Sequence, residues 1–397
     1  MTRKWLTAGM VAAVALLGSG RIASAESVGT PISGRITNDS TWTLAGSPYT
    51  LQTTVEIASG VTLTVQPGVL VQGEPFTSIF VRPGGHLVAI GTPSQPITFT
   101  GVVELTPSGE QGWQGIYVNW DPTGATGTAQ LDNAIIGNAG TALEGPVDGL
   151  LVTNTQIHDN SLGMSVYNRL ASPPSTISEN VFLNNRKGLF VENSFHLPIT
   201  VEHNDFWHNQ ESIGLHGLET RVNRNDFIPV PGAEAPDVTL ASCGGGSCSL
   251  DLTENWWGTT DMTVIEHRVL DGNDDSSRLI AIVDPPATAE QHPSWPPAPE
   301  THPRSVTLRI SRSNASGAVS AEKGMQSCES LQTALIQRHS GGGWETIGET
   351  RTDTRGRYSV AIQAVPGTYR ALVELATLGD PPTDVCLEAV STEKRVR

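Results

Sequence analysis

The sequence is poor in charged side chains, which make up 16% of its 397 residues, against roughly 25% in ordinary globular proteins. Aromatic residues are also scarce, at 6%. No segment keeps a 3.6-residue apolar period over three turns, which excludes helix bundles and coiled coils. A formal net charge of −16 argues against nucleic acid as a partner. What the sequence does contain, 41 glycines and 26 prolines, favours many short strands joined by polar turns, and so an all-β fold.

The first 25 residues have the pattern of a secretory signal peptide. Arg3 and Lys4 precede an apolar stretch, and the small residues Ala23 and Ala25 stand at positions −3 and −1 of a cleavage site. The stretch is short for a bilayer span, although an uncleaved membrane anchor is the alternative. Since no later run is apolar enough to cross a membrane, we expect a secreted, extracellular protein with no membrane span.

Four cysteines agree with export, because disulfides form in oxidising compartments. Cys243 and Cys248 enclose a short glycine-rich segment, and Cys328 and Cys386 both lie in the C-terminal part. The even count predicts two local disulfides, Cys243–Cys248 and Cys328–Cys386. A zinc site of four cysteines is the alternative, which their wide spacing disfavours.

A proline-rich segment divides the chain. Prolines are dense between Pro285 and Pro303, which makes this segment extended and semi-rigid. Residues 26–303 hold nine basic and thirty acidic side chains, a net charge of −21, whereas residues 304–397 carry +2. The predicted division is a signal peptide at 1–25, an acidic region at 26–284, a linker at 285–303 and a near-neutral region at 304–397.

An irregular repeat runs through the acidic region. A typical unit places one asparagine two residues before an apolar side chain and another three residues after it, as in Asn180-Val181-Phe182 with Asn185. The apolar positions are Ile135, Ile157, Phe182, Phe206, Phe227 and Trp257. Units this short bury their apolar faces only by stacking, so we predict a β-solenoid whose apolar side chains stack inside. Leucine-rich repeats share the length but need more leucine positions.

The asparagines are expected at turns of the solenoid. Asparagine tolerates left-handed backbone, and its side chain can bond to the asparagine one coil away. After the last repeat, residues 261–267 are predicted to form a short helix, with Thr259 or Thr260 as its N-cap, that covers the open end of the solenoid.

Four segments, the last of which contains the final repeat unit, complete a family pattern. They are Thr62-Leu63-Thr64-Val65-Gln66-Pro67-Gly68, Pro96-Ile97-Thr98-Phe99-Thr100, Gly112-Trp113-Gln114-Gly115-Ile116 and Asn255-Trp256-Trp257-Gly258-Thr259. With the Asn-x-Phe units, the chain resembles secreted bacterial right-handed parallel β-helix proteins of the pectate-lyase-like superfamily over roughly residues 30–285. The resemblance implies the fold and leaves the chemistry open, because the superfamily holds lyases, hydrolases, adhesins and non-catalytic proteins.

The C-terminal region contains short runs of alternating apolar and polar residues. His339-Ser340-Gly341-Gly342-Gly343 lies between two of them and predicts a hairpin. About seven short strands predict a small Ig-like β-sandwich. The segments Thr352–Tyr358 and Pro366–Tyr369 resemble accessory sandwich domains of the carboxypeptidase regulatory type. The predicted fold class is therefore all-β, a right-handed parallel β-helix followed by a small β-sandwich.

Residues at one coil position form columns along a solenoid, about 4.8 Å apart. One place before the apolar residue, Asp205 and Asp226 are expected to be neighbours. Two adjacent carboxylates could bind Ca²⁺, or act as an acid and a base on a sugar bond. A solvated turn column that tolerates aspartate is the simpler interpretation.

A second column lies on the strand that follows each asparagine turn. There Tyr167, Glu192 and His216 align, on a strand whose outward positions face a groove in the superfamily's enzymes. Tyr167 could stack on a sugar, and Glu192 beside His216 is a candidate catalytic pair. An exposed sheet face with cross-strand polar pairs is the alternative. The candidate ligand-binding residues are Tyr167 and, two places after the apolar residue, Asp159, Asn184 and His208.

The catalytic patterns of related enzymes are missing. His216-Gly217 is the single polygalacturonase-like segment, and it has no Arg-x-Lys partner. We therefore expect a non-catalytic secreted protein, a monomer, that binds extracellular polysaccharide or another cell-surface ligand and requires no cofactor, with Ca²⁺ as a candidate ligand. The alternatives are a polysaccharide lyase or glycoside hydrolase with an atypical site, and an envelope or adhesion scaffold. Because the solenoid is acidic, a polyanion would be repelled unless cations mediate the contact.

Overall fold

The computed structural model describes residues 29–103, 112–169, 172–229, 236–242, 248–291, 300–340, 343–378 and 384–396. Strands account for 55% of the structure and helices for 4%, which confirms the all-β prediction. The predicted signal peptide and Cys243 lie outside these ranges. Within them, no helix is both long enough and apolar enough to cross a membrane.

Twenty-seven of the strands that the structure describes build a parallel solenoid of about eight coils. In chain order they are Thr30–Ile36 (β1), Ser40–Trp42 (β2), Tyr49–Ile57 (β3), Thr62–Val65 (β4), Leu70–Gly73 (β5), Ser78–Val81 (β6), His86–Ile90 (β7), Ile97–Gly101 (β8), Gly115–Val118 (β9), Thr128–Asp132 (β10), Ala134–Gly137 (β11), Thr141–Pro146 (β12), Leu150–Thr153 (β13), Gln156–His158 (β14), Leu162–Tyr167 (β15), Ser175–Ser178 (β16), Val181–Leu183 (β17), Lys187–Glu192 (β18), Ile199–Glu202 (β19), Asp205–Trp207 (β20), Glu211–His216 (β21), Thr220–Asn223 (β22), Asp226–Ile228 (β23), Val238–Leu240 (β24), Ser249–Asp251 (β25), Val269–Leu270 (β26) and Ile280–Ile282 (β27).

Each coil visits three faces in turn. The first face contains β5, β8, β11, β14, β17, β20 and β23, and the second contains β6, β9, β12, β15, β18, β21, β24 and β26. The third face contains β2, β4, β7, β10 and β13, followed by β16, β19, β22, β25 and β27. Neighbouring coils pair in parallel on every face, so the outward side chains of each face form rows along the solenoid axis.

The core is a column of stacked apolar side chains. Ile157 lies opposite Phe182, which is followed by Phe206 and Phe227 in register. The aromatic rings stack with centroids 4.6 to 5.1 Å apart, and the last ring is that of Trp257. The predicted column is confirmed from Ile157 onward.

The first member of that column was assigned wrongly. Ile136, rather than Ile135, lies opposite Ile157, while Ile135 lies opposite Gln156 on the outward side of the first face. Asn133 occupies the left-handed position, with φ of 49°, that Glu179 occupies two coils later, and not the position of the ladder asparagine Asn180. The register of β11 is therefore displaced by one residue from the sequence alignment.

Buried asparagines connect the coils in two ladders. In one, Asn160 donates to Oδ1 of Asn185 at 2.9 Å, and Asn185 donates to Oδ1 of Asn209 at 3.0 Å. Each Oδ1 also accepts the backbone N–H of the asparagine in the previous coil. The predicted bond from coil to coil is confirmed. The second ladder contains Asn180, Asn204, Asn225 and Asn255.

The left-handed positions are not these ladder asparagines. They are the residues just before them, which include Asp159, Asn184 and His208, with φ between 51° and 53°. Two functions that were expected of one asparagine therefore belong to two neighbouring residues of the turn. One side chain tolerates the left-handed backbone, and the next one bonds to the neighbouring coil.

The C-terminal end of the solenoid is covered by the helix Met262–His267 (α1). Its N-cap is Asp261, whose side chain accepts a hydrogen bond from the backbone of Thr263 at 3.0 Å. The helix was predicted, but Thr259 and Thr260 were the wrong caps. A carboxylate suits this position because it also faces the positive end of the helix dipole.

The C-terminal part has its own core, formed mainly by antiparallel sheets. The hairpin predicted around residues 339–343 is confirmed, since its two strands pair up to Ser340 and Gly343, and Cys328 and Cys386 form the predicted disulfide. The strands are Glu300–His302 (β28), Arg304–Val306 (β29), Arg309–Ile310 (β30), Asn314–Ala321 (β31), Thr333–Ser340 (β32), Gly343–Arg351 (β33), Arg357–Ala361 (β34), Gly367–Val373 (β35), Ala376–Leu378 (β36), Asp384–Cys386 (β37), Ala389–Val390 (β38) and Lys394–Val396 (β39). Two 3₁₀ turns, Leu44–Gly46 and Gln326–Cys328, complete the described elements.

This C-terminal part packs against the first face of the solenoid. Val385 in β37 is fully buried against Val181 and Leu183 in β17. Beside this contact, the hydroxyl of Thr377 donates to Oδ2 of Asp159 at 2.5 Å. Much of the outward side of the first face is therefore buried, whereas the second face carries the exposed rows.

Candidate ligand-binding groove

The row that begins at Tyr167 lies on the second face. Tyr167 in β15 is the register partner of Glu192 in β18, which is the partner of His216 in β21. Glu192 and His216 are exposed, and Tyr167 is half-buried. The predicted alignment of these three residues is confirmed, and it places a phenol, a carboxylate and an imidazole on neighbouring coils.

A cavity of about 440 Å³ opens at one end of this row. Tyr167 and Glu192 form part of its floor, while His216 lies one coil further on, beside the ring of Phe190. Trp120 and Phe195 stand at the cavity with 43% and 47% of their surfaces exposed. Two exposed aromatic side chains, carried by turns that follow β9 and β18, therefore meet at one concave site beside the second face. The lining residues are Trp120, Pro122, Gly124, Tyr167, Asn168, Arg169, Glu192, Ser194 and Phe195.

The two aromatic side chains are carried by ordered turns. Trp120 precedes a turn in which Asp121 accepts hydrogen bonds from the backbone N–H groups of Thr123 and Ala125, at 2.9 and 3.2 Å. The backbone N–H of Phe195 donates to Oδ1 of the buried Asn168 at 3.2 Å. The aromatic positions are therefore set before any ligand arrives, which lowers the entropy cost of binding.

Besides the two ladders, a pair of buried asparagines bonds from coil to coil behind the groove, and Asn168 is its first member. Its amide donates to Oδ1 of Asn193, one coil further on. The amide of Asn193 donates in turn to the carbonyl of Leu197 at 2.8 Å, and its Oδ1 accepts the backbone N–H of the same residue at 3.1 Å. This pair ties the turn that carries Phe195 to the body of the solenoid.

The groove keeps its phenol protonated. Burial raises the pKa of Tyr167, and the nearby carboxylate of Glu144 raises it further, against smaller opposing effects from Trp120 and Arg169. Burial also raises the pKa of Glu144. Tyr167 therefore offers a hydroxyl that can donate, while Glu192 accepts, as the 3.0 Å hydrogen bond from the hydroxyl of Ser194 shows.

The basic residue that lines the groove, Arg169, already has an acidic partner. Arg169 is 9% exposed and forms an ion pair with Asp148, whose Oδ1 also accepts from the hydroxyl of Ser172 at 2.9 Å. The guanidinium lies 5.7 Å from the centre of the Trp120 ring. Arg169 thus supports the indole from behind, and Glu192 gives the groove a negative character.

The column of Asp159, Asn184 and His208 lies at the corner between the first and second faces. Asn184 donates to Oδ1 of Asp159 at 2.5 Å, and the Oδ2 of Asp159 accepts from Thr377 in the C-terminal part. His208 is 3% exposed, and burial lowers its pKa to about 4. These residues are separate from the cavity, and their role in ligand binding stays a prediction.

Asp205 and Asp226 are register partners on the first face, as predicted. They are strand residues with 1% exposure each, not members of a solvated turn. Oδ2 of Asp226 accepts the backbone N–H of Gln291 at 2.7 Å, so the segment before the C-terminal part covers this position. The pair alone offers at most four of the six to eight oxygens that Ca²⁺ takes, two from each carboxylate. Ca²⁺ binding and catalysis at this pair stay predictions.

Sequence reasoning missed Trp120, Arg169 and Phe195. All three lie in turns outside the repeat columns, so a column alignment does not reach them. The available signal was an aromatic residue next to a turn former, Trp120 before Asp121-Pro122. Cys248 packs against the solenoid core, and its predicted partner Cys243 lies outside the described residues.

The region of the groove also matches a known family. A family described as a right-handed β-helix region matches residues 113–227, which include strands β9 to β22 and the whole groove. Among curated proteins, none matches the chain. Together with the stacked parallel coils, the family match identifies the solenoid as a right-handed parallel β-helix.

Proposed function

We propose that this is an exported, non-catalytic β-helix protein that binds an extracellular glycan in the groove of the second face. The observation that carries the proposal is the pair of exposed aromatic side chains, Trp120 and Phe195, at a concave site that also holds Tyr167 and Glu192. Aromatic faces pack against the C–H faces of sugar rings, and a few polar groups fix the hydroxyls.

The dimensions suit a short stretch of a polysaccharide. Trp120 follows β9 and Phe195 follows β18, and these strands are three coils apart through β12 and β15. At about 4.8 Å per coil, the two strands are separated along the axis by roughly 14 Å. The Trp120 ring lies beside Tyr167 and Arg169, two coils along the axis from β9, so the two rings are closer together than the strands. A glycan lying parallel to the solenoid axis would therefore present a few sugar rings to the groove.

The charge of the groove favours a neutral glycan. Glu192 is exposed, while the guanidinium of Arg169 is paired with Asp148. The surrounding region, residues 26–303, carries a net charge of −21. A polyuronate would be repelled by this field, whereas sugar hydroxyls can donate to Glu192 and accept from Tyr167.

Catalysis is the competing proposal, because the carboxylate of Glu192 lines the cavity in which a bound glycan would lie. Glycosidases use two carboxyl groups, about 5 to 9.5 Å apart. Among the described residues that line the cavity, Glu192 supplies the one carboxylate. Two further carboxylates lie close by but outside the lining: that of Glu144, which raises the pKa of Tyr167, and that of Asp148, which is held in its ion pair with Arg169. This composition fits binding better than turnover.

A glycan array, followed by two turnover assays, tests the proposal. We expect retention of a neutral glycan, with no release of reducing ends and no unsaturated product absorbing near 235 nm. Turnover that is lost in Glu192→Gln would replace the binding proposal with the enzyme alternative. Retention of anionic glycans alone would contradict the electrostatic part of the proposal.

A further inference from the structure

One buried histidine in the C-terminal part has a carboxylate at each ring nitrogen. His302 in β28 is 6% exposed. Its Nδ1 lies 2.5 Å from Oε1 of Glu322, and its Nε2 lies 2.7 Å from Oδ1 of Asp384. A neutral imidazole has a single N–H, so it can donate to one of the two carboxylates. The other nitrogen then needs a cation, either a second proton or a metal ion.

A third carboxylate joins this cluster. The strands β28 and β37 pair in parallel, and their register places Glu300 opposite Asp384. One potential ligand atom from each of Glu300, His302 and Asp384 lies within 4.8 Å of the others. With Glu322, three carboxylates surround one imidazole, and together these carboxylates carry a charge of −3. A divalent ion beside a neutral His302 reduces this to −1.

We propose that Glu300, His302 and Asp384 bind a divalent transition-metal ion of the Zn²⁺ type, with Glu322 orienting His302. Zn²⁺ binds nitrogen and carboxylate oxygen at about 2.0 to 2.2 Å, so its ligand atoms lie roughly 3.4 Å apart. Oδ1 of Asp384 needs to move away from Nε2 by less than about 1 Å to reach that spacing. Water can occupy the fourth position.

The second carboxylate on the histidine has a defined role in this site. When Nε2 binds the ion, Nδ1 carries the proton and donates it to Glu322. Such a carboxylate partner fixes the tautomer and the ring orientation of a metal-binding histidine. The imidazole ligand also selects the class of ion, because Ca²⁺ and Mg²⁺ prefer oxygen ligands.

The site would fasten the C-terminal part at its contact with the solenoid. Cys386, the register partner of His302, is held by the disulfide to Cys328. Val385, on the same strand, packs against Val181 and Leu183 of the first face. A metal ion here links β28, where the chain leaves the linker, to the strand that contacts the solenoid.

Isothermal titration of the chelator-stripped full chain with ZnCl₂ tests the site. We expect binding of one ion per chain, accompanied by a rise in Tm, because the ion prefers the folded state. Glu300 is exposed, so Glu300→Gln leaves the fold intact and should weaken binding at least tenfold. Glu322→Gln should weaken it about tenfold, as loss of an orienting carboxylate does. His302→Ala should abolish it.

The control is His339→Ala, which removes an exposed histidine from the same part of the chain and should bind Zn²⁺ as the wild type does. CaCl₂ serves as the second probe and should bind at least tenfold more weakly than ZnCl₂. No Zn²⁺ binding by the wild type would overturn the site, as would equal Zn²⁺ affinity in the wild type and Glu300→Gln. Glycan binding plays no part in these results, so they stand apart from the function of the groove.

Discussion

Individual turn residues decide how this solenoid responds to acid. The left-handed position before each ladder asparagine is filled by several residue types, among them Asp159, Asn184 and His208. His208 differs from the other two because it is 3% exposed, and burial holds its pKa near 4. It is folded as a neutral side chain, although an unfolded chain would protonate it at about pH 6.5.

His208 should therefore make the protein less stable as the pH falls. Between about pH 6.5 and pH 4 the unfolded state binds the additional proton, so the free energy of unfolding falls with pH and loses up to about 3 kcal/mol. Asparagine tolerates the same backbone, and His208→Asn should remove this loss. Urea unfolding at pH 7, 5.5 and 4 measures it.

His203→Asn is the matched control, because His203 has a similar left-handed backbone, with φ of 55°, but is only half-buried. It should keep the acid sensitivity of the wild type. Identical pH dependence in the wild type and in His208→Asn would show that His208 is not the cause.

At the scale of elements, the coils are joined by ladders of side chains as well as by backbone pairing. Asn185 accepts from both the backbone and the amide of Asn160, and it donates to the carbonyl of Ile157 and to Asn209. All of these groups are buried, so a missing partner leaves a desolvated donor without a bond.

Asn185→Ala should therefore lower the free energy of unfolding by about 3 kcal/mol or more. Chemical denaturation measures the change, and Asn38→Ala is the control, since Asn38 is exposed and its loss should cost about 0.5 kcal/mol or less. If the two variants were equally stable, the ladder would contribute nothing beyond the backbone pairing.

The repeat explains how much of the fold the sequence could predict. A fixed coil position carries the same kind of side chain in each turn, so the phenylalanine stack, the asparagine ladders and the row of Tyr167 and Glu192 could all be aligned from sequence alone. Ile136 was missed because β11 is displaced by one residue. Trp120 and Phe195 were missed because turns outside the repeat have no register to align.

The sequence pattern also could not predict that the C-terminal part covers the first face. Asp205 and Asp226 occupy strand positions that are outward on any isolated solenoid, and their alternation with apolar residues is the same whether or not another part of the chain covers them. The contact between Thr377 and Asp159 joins residues 218 positions apart. No local pattern encodes a contact of that separation.

At the scale of the whole molecule, an apolar cluster centred on Val385 packs the C-terminal part against the solenoid. Val385 is fully buried between the two parts, whereas Val390, in another sheet of the C-terminal part, is 45% exposed. An unpaired carboxylate at the buried position is costly because it loses its hydration. Val385→Asp should therefore release the C-terminal part and increase the radius of gyration in small-angle X-ray scattering.

Val390→Asp should leave the scattering curve unchanged, because its carboxylate stays in water. An unchanged curve for a folded Val385→Asp would mean that other contacts are sufficient to hold the two parts together.

The central claim is that Trp120 and Phe195 bind a neutral glycan. The most direct test is isothermal titration of the best neutral oligosaccharide from the array into the wild type, the double variant Trp120→Ala with Phe195→Ala, and the control Phe76→Ala, which removes an aromatic ring that is 66% exposed but lies outside the groove. Loss of both rings should raise Kd by at least about tenfold, equivalent to 1.4 kcal/mol, while Phe76→Ala binds as the wild type does. Equal affinity in all three proteins would contradict the claim.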